Sequence, residues 1–482
     1  MKYKGFIGGS YELDSVIADC SRTINLIPEI IESGSGKGPA RFFPRPGLVS
    51  FSDFASYTPV SPFKALLQVN GASEELVFGL APDATGHYAL WQIASDGTFW
   101  QIATAFAYEA QSLASNGTQV VIACHESGVG AALYCLDLGT YALTLISTLG
   151  THNISQVVWH PDGYFIALDC SDKKIYVSAL MDGETWDAAD CAQVFVTDIP
   201  QYMIVDHKEL WIFGQKGASV YYDSGAEFPF EPIPGVSLQT GIVGKSADRL
   251  DNTLFWVSQS ERGGYQVCKA AGHTPVRVSN NGIEQRLIDA APTPDTISVF
   301  AMDYNGHSFF VISVDGDESS LVFDASTGLW HEWATNGGIF LGRHHCFAWG
   351  KHLFTSNAAN VVYELDSASF YDGATAITWM RRAPHLAAEG QRVFYHRFML
   401  DMQTGITGSV SPSIWMRFSD DGGQNWTAAI AASMGSSGET FQRVVWGPNL
   451  GSSRDRVFEV SGSEAVPAWI VDAYIDFTGG YQ

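Results

Sequence analysis

Four groups of residues in this chain have types and spacings suited to chemistry. Ser419-Asp420-Asp421-Gly422-Gly423-Gln424-Asn425-Trp426 fits the Asp-box pattern Ser-x-Asp-x-Gly-x-Thr-Trp, with Asn in the Thr slot. Its carboxylates are candidate acids, but the pattern first dictates a tight turn between two antiparallel strands. Asp421 can bond its own backbone two residues on, Gly422 and Gly423 accept φ > 0, and Trp426 can fold back over the hairpin as a lid. The second group, His344-His345-Cys346 with His352, holds metal-ligand types. Adjacent strand residues point to opposite faces, so His344 and Cys346 share a face that His345 does not, and no carboxylate stands at a useful spacing. Ordinary strand residues, and no metal, are expected there. Asp315-Gly316-Asp317-Glu318 opens like an acidic calcium loop but lacks the later ligands and the glycine of an EF-hand, so a hairpin tip is expected. The fourth group is Arg381, Arg382, Arg392, Arg397, Arg417, Arg443, Arg454 and Arg456. After Ala376 every basic residue is arginine and none is lysine.

Two kinds of chemistry follow from arginines beside an Asp box. Asp boxes are common in sialidases and other carbohydrate-active propellers, where three arginines grip a substrate carboxylate and a Tyr/Glu pair supplies nucleophile and activator. That arrangement spreads its arginines over the blades and brings several boxes, whereas here there is one box and the arginines gather near the C-terminus. The other reading is contact between subunits, where arginine is favoured and lysine is not. Arg443, Arg454, Asp455 and Arg456 are the candidate contacts, and Ser419, Asp421, Gly423 and Trp426 the structural turn. No nucleophile elbow, phosphate-binding glycine loop or paired-His helix appears in the sequence, so no catalytic residue, cofactor or metal is expected. A carbohydrate-active or glycan-binding propeller stands as the alternative.

The elements that must position these residues are strands. Apolar residues make up 46%, charged residues 16%, and there are 48 glycines in 482 residues, a composition of short strands and many turns in more than one domain. Net charge is −24, with most of the acid excess ahead of residue 376. That repels polyanions and excludes tight DNA binding, though it suits a wall past which DNA slides. Seven scattered cysteines without a Cys-x-x-Cys argue for buried free thiols and folding in a reducing cytoplasm, and no signal peptide or membrane-spanning run is expected. Residues 1–60 read as an extended, irregular arm, in which Pro44-Arg45-Pro46-Gly47 argues against a central strand and for a segment laid on another surface. From 61 to 372, an Asp or Gly turn followed by an aromatic recurs at Asp96, Asp137, Asp182, Asp223, Gly272, Asp324 and Asp366, spaced 41 to 52 residues apart. A repeat of that length holding about four strands predicts a β-propeller of about seven blades, six to eight being possible. The last blade is short, and its closure calls for an arm strand near Leu48 to Phe54. Residues 373–482 carry six longer strands and predict a β-sandwich.

The C-terminal run Arg417 to Trp426, then Met434-Gly435, Arg443-Val444-Val445-Trp446, Leu450-Gly451 and Ser453-Arg454-Asp455-Arg456-Val457-Phe458-Glu459, resembles the end of the packaged-DNA stabilisation proteins of short-tailed bacteriophages. In the arm, Arg22, Asn25, Pro28, Glu29 and Pro44-Arg45-Pro46-Gly47-Leu48 resemble that family's opening, with Asn25, Pro44, Pro46 and Gly47 as its marks. The resemblance covers about the first 50 and last 100 residues. It implies a virion protein made in the host bacterial cytoplasm: a tail hub or nozzle subunit in a homo-oligomeric, hexameric ring. The implied partners are a portal-adaptor protein above, tail fibre or spike and needle or plug proteins beside and below, and packaged DNA passing through without specific binding or membrane insertion.

Overall fold

Turn chemistry sets the architecture. In the computed structural model, which describes all residues except 34–35, 55–62, 84–86, 104–105, 127, 197, 260–262, 357–358, 389, 407–411 and 481–482, the recurring marks fall at the turns leaving the third strand of each blade. The side chains of Asp96, Asp137, Asp182, Asp223, Asp324 and Asp366 each accept a hydrogen bond from a backbone N–H two or three residues on, at 2.7–3.0 Å, and Gly272 takes φ +59°. These are Asx turns, which reverse the chain without needing a partner elsewhere. The arm–propeller boundary at 60 lies outside the described residues.

Five four-stranded antiparallel sheets follow one another between Ala65 and Arg277, each built from consecutive strands. The sixth blade comprises Ile297–Tyr304, His307–Val314, Ser320–Asp324 and Leu329–Thr335. The seventh takes Gly342–Ala348, Lys351–Ser356 and Val361–Asp366 from its own stretch of chain, the arm strand Gly47–Asp53 pairs antiparallel with Val361–Asp366 as its fourth, and the short strands Tyr371–Asp372 and Thr375–Ala376 extend the sheet beyond it. First strands of successive blades touch around the circle, and Gly342–Ala348 returns to Ala65–Asn70, giving seven blades. The expected closure by the arm is met, with Phe54 N–H continuing it by bonding Asn360 O at 2.8 Å.

One expectation is corrected. The arm is not irregular: Cys20–Ile24, Leu26–Ile30, Ala40–Pro44 and Gly47–Asp53 are all strands. Pro44 ends the strand Ala40–Pro44 and Pro46 stands just before Gly47–Asp53, so the two prolines mark a corner between two sheets. A helix, Asn281–Ala290, also stands between blades five and six, its first turn capped by the Asn280 side chain accepting from Ile283 N–H at 3.0 Å.

All six expected sandwich strands form, and the arm completes both layers. One sheet runs Leu26–Ile30, Ala40–Pro44, Ile470–Gly479, Val393–Met402, Val444–Trp446; the other runs Cys20–Ile24, Trp379–Arg382, Asp455–Gly462, Ser413–Ser419, Ile430–Ser433. Between them, Tyr3, Phe6 and Phe42 of the arm pack among Phe398, Trp446 and Phe458, all buried, with the Phe398 and Phe458 rings stacked 4.8 Å apart. The second sheet is continuous with blade six through a parallel contact of Ile24 with Glu332. Propeller and sandwich are thus sewn together by the first 53 residues.

Blade six also buries an imidazole. His331 is fully enclosed beside Phe309 and Trp333, neither ring nitrogen has a hydrogen-bond partner, and burial pushes it down to about 4. The unfolded chain, with His near 6.5, binds this proton more readily, so its contribution to stability is complete above that pH and is lost as pH falls towards 4. Each unit in that window removes about 1.4 kcal/mol for this residue alone. Urea midpoints measured from pH 7 to 4.5 should fall, and His331→Phe should flatten that fall; an equal pH slope in the variant would refute the assignment.

Candidate functional site

The chain's most concentrated polar chemistry lies where arm, propeller and sandwich meet. Asn25 joins two arm strands that belong to opposite sheets of the sandwich, and it makes that corner with φ +56°, a conformation Asn tolerates. Its side-chain N–H groups donate to Ala334 O (2.8 Å) on blade six and Thr378 O (2.7 Å) at the sandwich entry, and its Oδ1 accepts from Ala334 N–H at 2.9 Å. The Arg45 Nε also donates to that Oδ1, at 3.0 Å. The Arg45 guanidinium then forks onto Asp372, at 3.0 Å and 2.7 Å, donates to Pro46 O, and lies 4.8 Å from the Phe340 ring centroid. Arg45 and Asp372 are 0% and 1% exposed. Gly47 follows because a Cβ there would stand 2.4 Å from Tyr371 O and 2.7 Å from Ser369 O. The arm marks Asn25, Pro44, Pro46 and Gly47 therefore surround one clasp, and its central residue is Arg45, which pattern reading quoted without singling out.

Two further buried arginines hold the arm. Arg381 has no carboxylate in its hydrogen-bond set: it donates to Gly5 O, Phe6 O, Gly9 O, Arg22 O and the Thr23 hydroxyl, and burial lowers it to about 10, still charged at neutral pH. Arg22 and Arg286 both bind Glu332, with Ser10 and Ser319 hydroxyls completing its shell. Burial alone would raise the Glu332 carboxyl, but the two guanidiniums and the Ser319 bond hold it far below the usual range. The Asp315–Glu318 stretch is a hairpin tip, as expected, yet its acids are engaged: Asp317 with Arg286, Glu318 with Arg22, and Asp315 with Arg343.

The Asp box links strands Ser413–Ser419 and Ile430–Ser433, which pair antiparallel. Asp421 accepts from the Ser419 hydroxyl (2.7 Å), Asn425 N–H (2.8 Å) and the Asn425 amide (2.7 Å), and those bonds hold it down at about 2. Gly422 and Gly423 take φ +73° and +96°, and Gly423 N–H donates to Ser419 Oγ. Trp426 donates to Gly423 O at 3.1 Å and lies half-buried between Arg382 and Arg417, which share Glu459. Every polar atom of the box named here serves the hairpin.

Arg456 is placed inside, which revises its expected role as a subunit contact. It is 1% exposed, forks onto Asp420 of the box at 2.6 and 2.7 Å, and packs 3.9 Å from the Phe418 ring centroid. Asp455 binds His385, while Arg443 and Arg454 are exposed. Cys20, His385 and Asp455 line up like a nucleophilic triad, with Sγ 3.7 Å from Nε2 and Nδ1 2.9 Å from the carboxylate. The arrangement is closed, however. Nε2 is also 3.0 Å from Val16 O, so the thiol shares that nitrogen with a backbone carbonyl. Cys20 itself is fully buried, and burial pushes its thiol up to about 11. All seven cysteines are free. His345 and His352 stack and bond each other at 3.0 Å within blade seven. Among the described residues, His152, Asp169 and Asp172 form a group of metal-ligand types that pattern reading missed, but Asp169 is already occupied by N–H groups of Asn153, Ser171 and Asp172. No helix among the described residues is long and apolar enough to cross a membrane.

Replacing Arg45 with Met should strand the buried Asp372 carboxylate and cost about 3–5 kcal/mol in urea unfolding; a loss below about 1 kcal/mol would show that the clasp does not hold the arm. Trp426→Ala, at a half-buried lid, should cost only about 1–2 kcal/mol by the same measurement.

Two family models match the chain: "Bacteriophage P22 Gp10, beta-propeller" over residues 85–370 and "Bacteriophage P22 Gp10, beta-sandwich" over residues 378–478. A search of curated proteins found no match. Among solved structures, the chain is similar to virginiamycin B lyase from Staphylococcus aureus (11% identity, 66% of this chain and 98% of that one, TM-score 0.45). It is also similar to U3-55K (9% identity, 67% and 99%, TM-score 0.42). Likenesses that loose carry no argument about chemistry. The family matches span both domains and more than half of the chain, and so the chain belongs to the bacteriophage P22 Gp10 family, the structural tail-hub and DNA-stabilisation proteins of short-tailed phages.

Proposed function

We propose that this chain is the nozzle subunit of a short-tailed phage, made in the host cytoplasm and assembled as a ring, six copies on the family reading. The ring extends the DNA channel below a portal-adaptor protein, contacts fibre or spike and needle or plug proteins, and retains packaged DNA until ejection. The observation that carries this reading is the family match across both propeller and sandwich. Charge supports it: a chain of net −24 repels DNA and lets it pass. A non-catalytic role is part of the proposal, supported by the closed Cys20–His385–Asp455 set and by an Asp box whose carboxylates are taken up inside the chain, Asp421 by its own turn and Asp420 by Arg456.

Electron microscopy of purified virions and of the isolated protein should show rings with a central channel, and particles lacking the protein should lose DNA early. A strictly monomeric protein that is also absent from virions would overturn the proposal. Turnover of a fluorogenic sialoside, abolished by a Glu or Tyr substitution in the blades, would overturn the non-catalytic part.

A further inference from the structure

The eight arginines after Ala376 divide evenly. Arg381, Arg382, Arg417 and Arg456 are engaged with carboxylates or arm carbonyls inside the chain. Arg392, Arg397, Arg443 and Arg454 are exposed, and two of these, Arg397 and Arg443, converge on the outer face of one sandwich sheet. They line a depression of about 220 Å³ together with Met399, Val445, Tyr474 and Asp476, contributed by the adjacent strands Val393–Met402, Val444–Trp446 and Ile470–Gly479. Arg397 sits opposite Asp476 in the ladder, yet neither Arg397 nor Arg443 has an ion pair or hydrogen bond among the described residues. Val445 in the depression shows 38% of its surface, and Phe441, two residues before Arg443 in the chain, is 96% exposed.

We propose that this face seats an acidic surface of a second copy of the chain, and that this is the ring-forming contact. The inference rests on the ring reading above and names the surface that makes it. Its composition is that of an interface, with Tyr, Met, Val and Arg and no Lys or Glu. An aromatic left almost wholly in water two residues from the unpaired Arg443 has the makings of an anchor. Charge then fixes the geometry. Two arginines against one aspartate cannot face their own copies across a two-fold axis without repulsion, so the complement must lie elsewhere on the molecule. The acid excess ahead of residue 376 supplies it. Contact between two different surfaces is heterologous, the kind that builds a ring where its rotation closes and an open filament where it does not.

The test compares wild type with Arg397→Glu/Arg443→Glu and with Phe441→Ser, by mass photometry over a concentration series and by electron-microscopy class averages. Wild type should form rings, more readily at 0.1 M than at 0.5 M salt, since the contact is screened (about 10 Å Debye length at 0.1 M). The double reversal should raise the concentration needed for assembly at least tenfold with an unchanged melting temperature, and Phe441→Ser should do so independently of salt. Reversing Lys216 and Arg249, both exposed on the propeller, should leave assembly intact. Rings formed by the double variant as readily as by wild type would overturn this surface and leave the ring reading standing. A wild type monomeric at every concentration and absent from virions as rings would overturn both.

Discussion

A guanidinium with no solvent exposure, forked onto an aspartate equally hidden, is the constraint on which the rest of this molecule depends. Arg45 belongs to the arm, and Asp372 lies just past the last propeller strand. Asn25, which shares Arg45's Nε, fixes the arm to blade six and to the sandwich entry. A buried pair of this kind adds little net stability over a well-packed apolar substitute, but it tolerates no alternative register, because either charge left alone is costly. The pair therefore specifies where the arm turns. Once it turns there, Gly47–Asp53 is delivered to blade seven and Leu26–Pro44 to the sandwich.

The same economy governs the other arginines. Arg381 gathers the carbonyls of residues 5 to 9, and Arg22 meets Glu332 at the seam of blade six. Each ties the N-terminus to a domain hundreds of residues away, so neither domain completes its sheets without the arm. A rigid joint between propeller and sandwich suits a subunit whose role is to hold position under the pressure of packaged DNA. It also explains why the Asp box points away from sugar chemistry: Asp421 supports the hairpin and Asp420 reaches back to Arg456, so the box braces the sandwich edge.

Much of this was legible in the sequence because turns are local. Six Asp marks report Asx turns formed within a few residues and the seventh, Gly272, a glycine turn, and the alternation of the long C-terminal strands reports one buried face. Even the closing strand could be anticipated, since a three-stranded last blade leaves an open edge. What stayed hidden was non-local. Nothing in the neighbourhood of Arg456 says that Asp420 will neutralise it, and nothing near Arg45 announces Asp372, 327 residues on. The arm's strands were obscured by its prolines, which mark corners between sheets and not the absence of sheets. An arginine's type shows that it will bind an anion; only the fold shows whether that anion is inside the chain or on another copy.

The central claim is that the arm is an integral part of both domains. Native-state amide hydrogen exchange tests it most directly, through the N–H groups of Leu48–Asp53 in blade seven. If the clasp joins the arm to the propeller, these amides exchange only with global unfolding, at rates matching those of Val361–Asp366. Exchange orders of magnitude faster in the arm strand than in its partner would contradict the account.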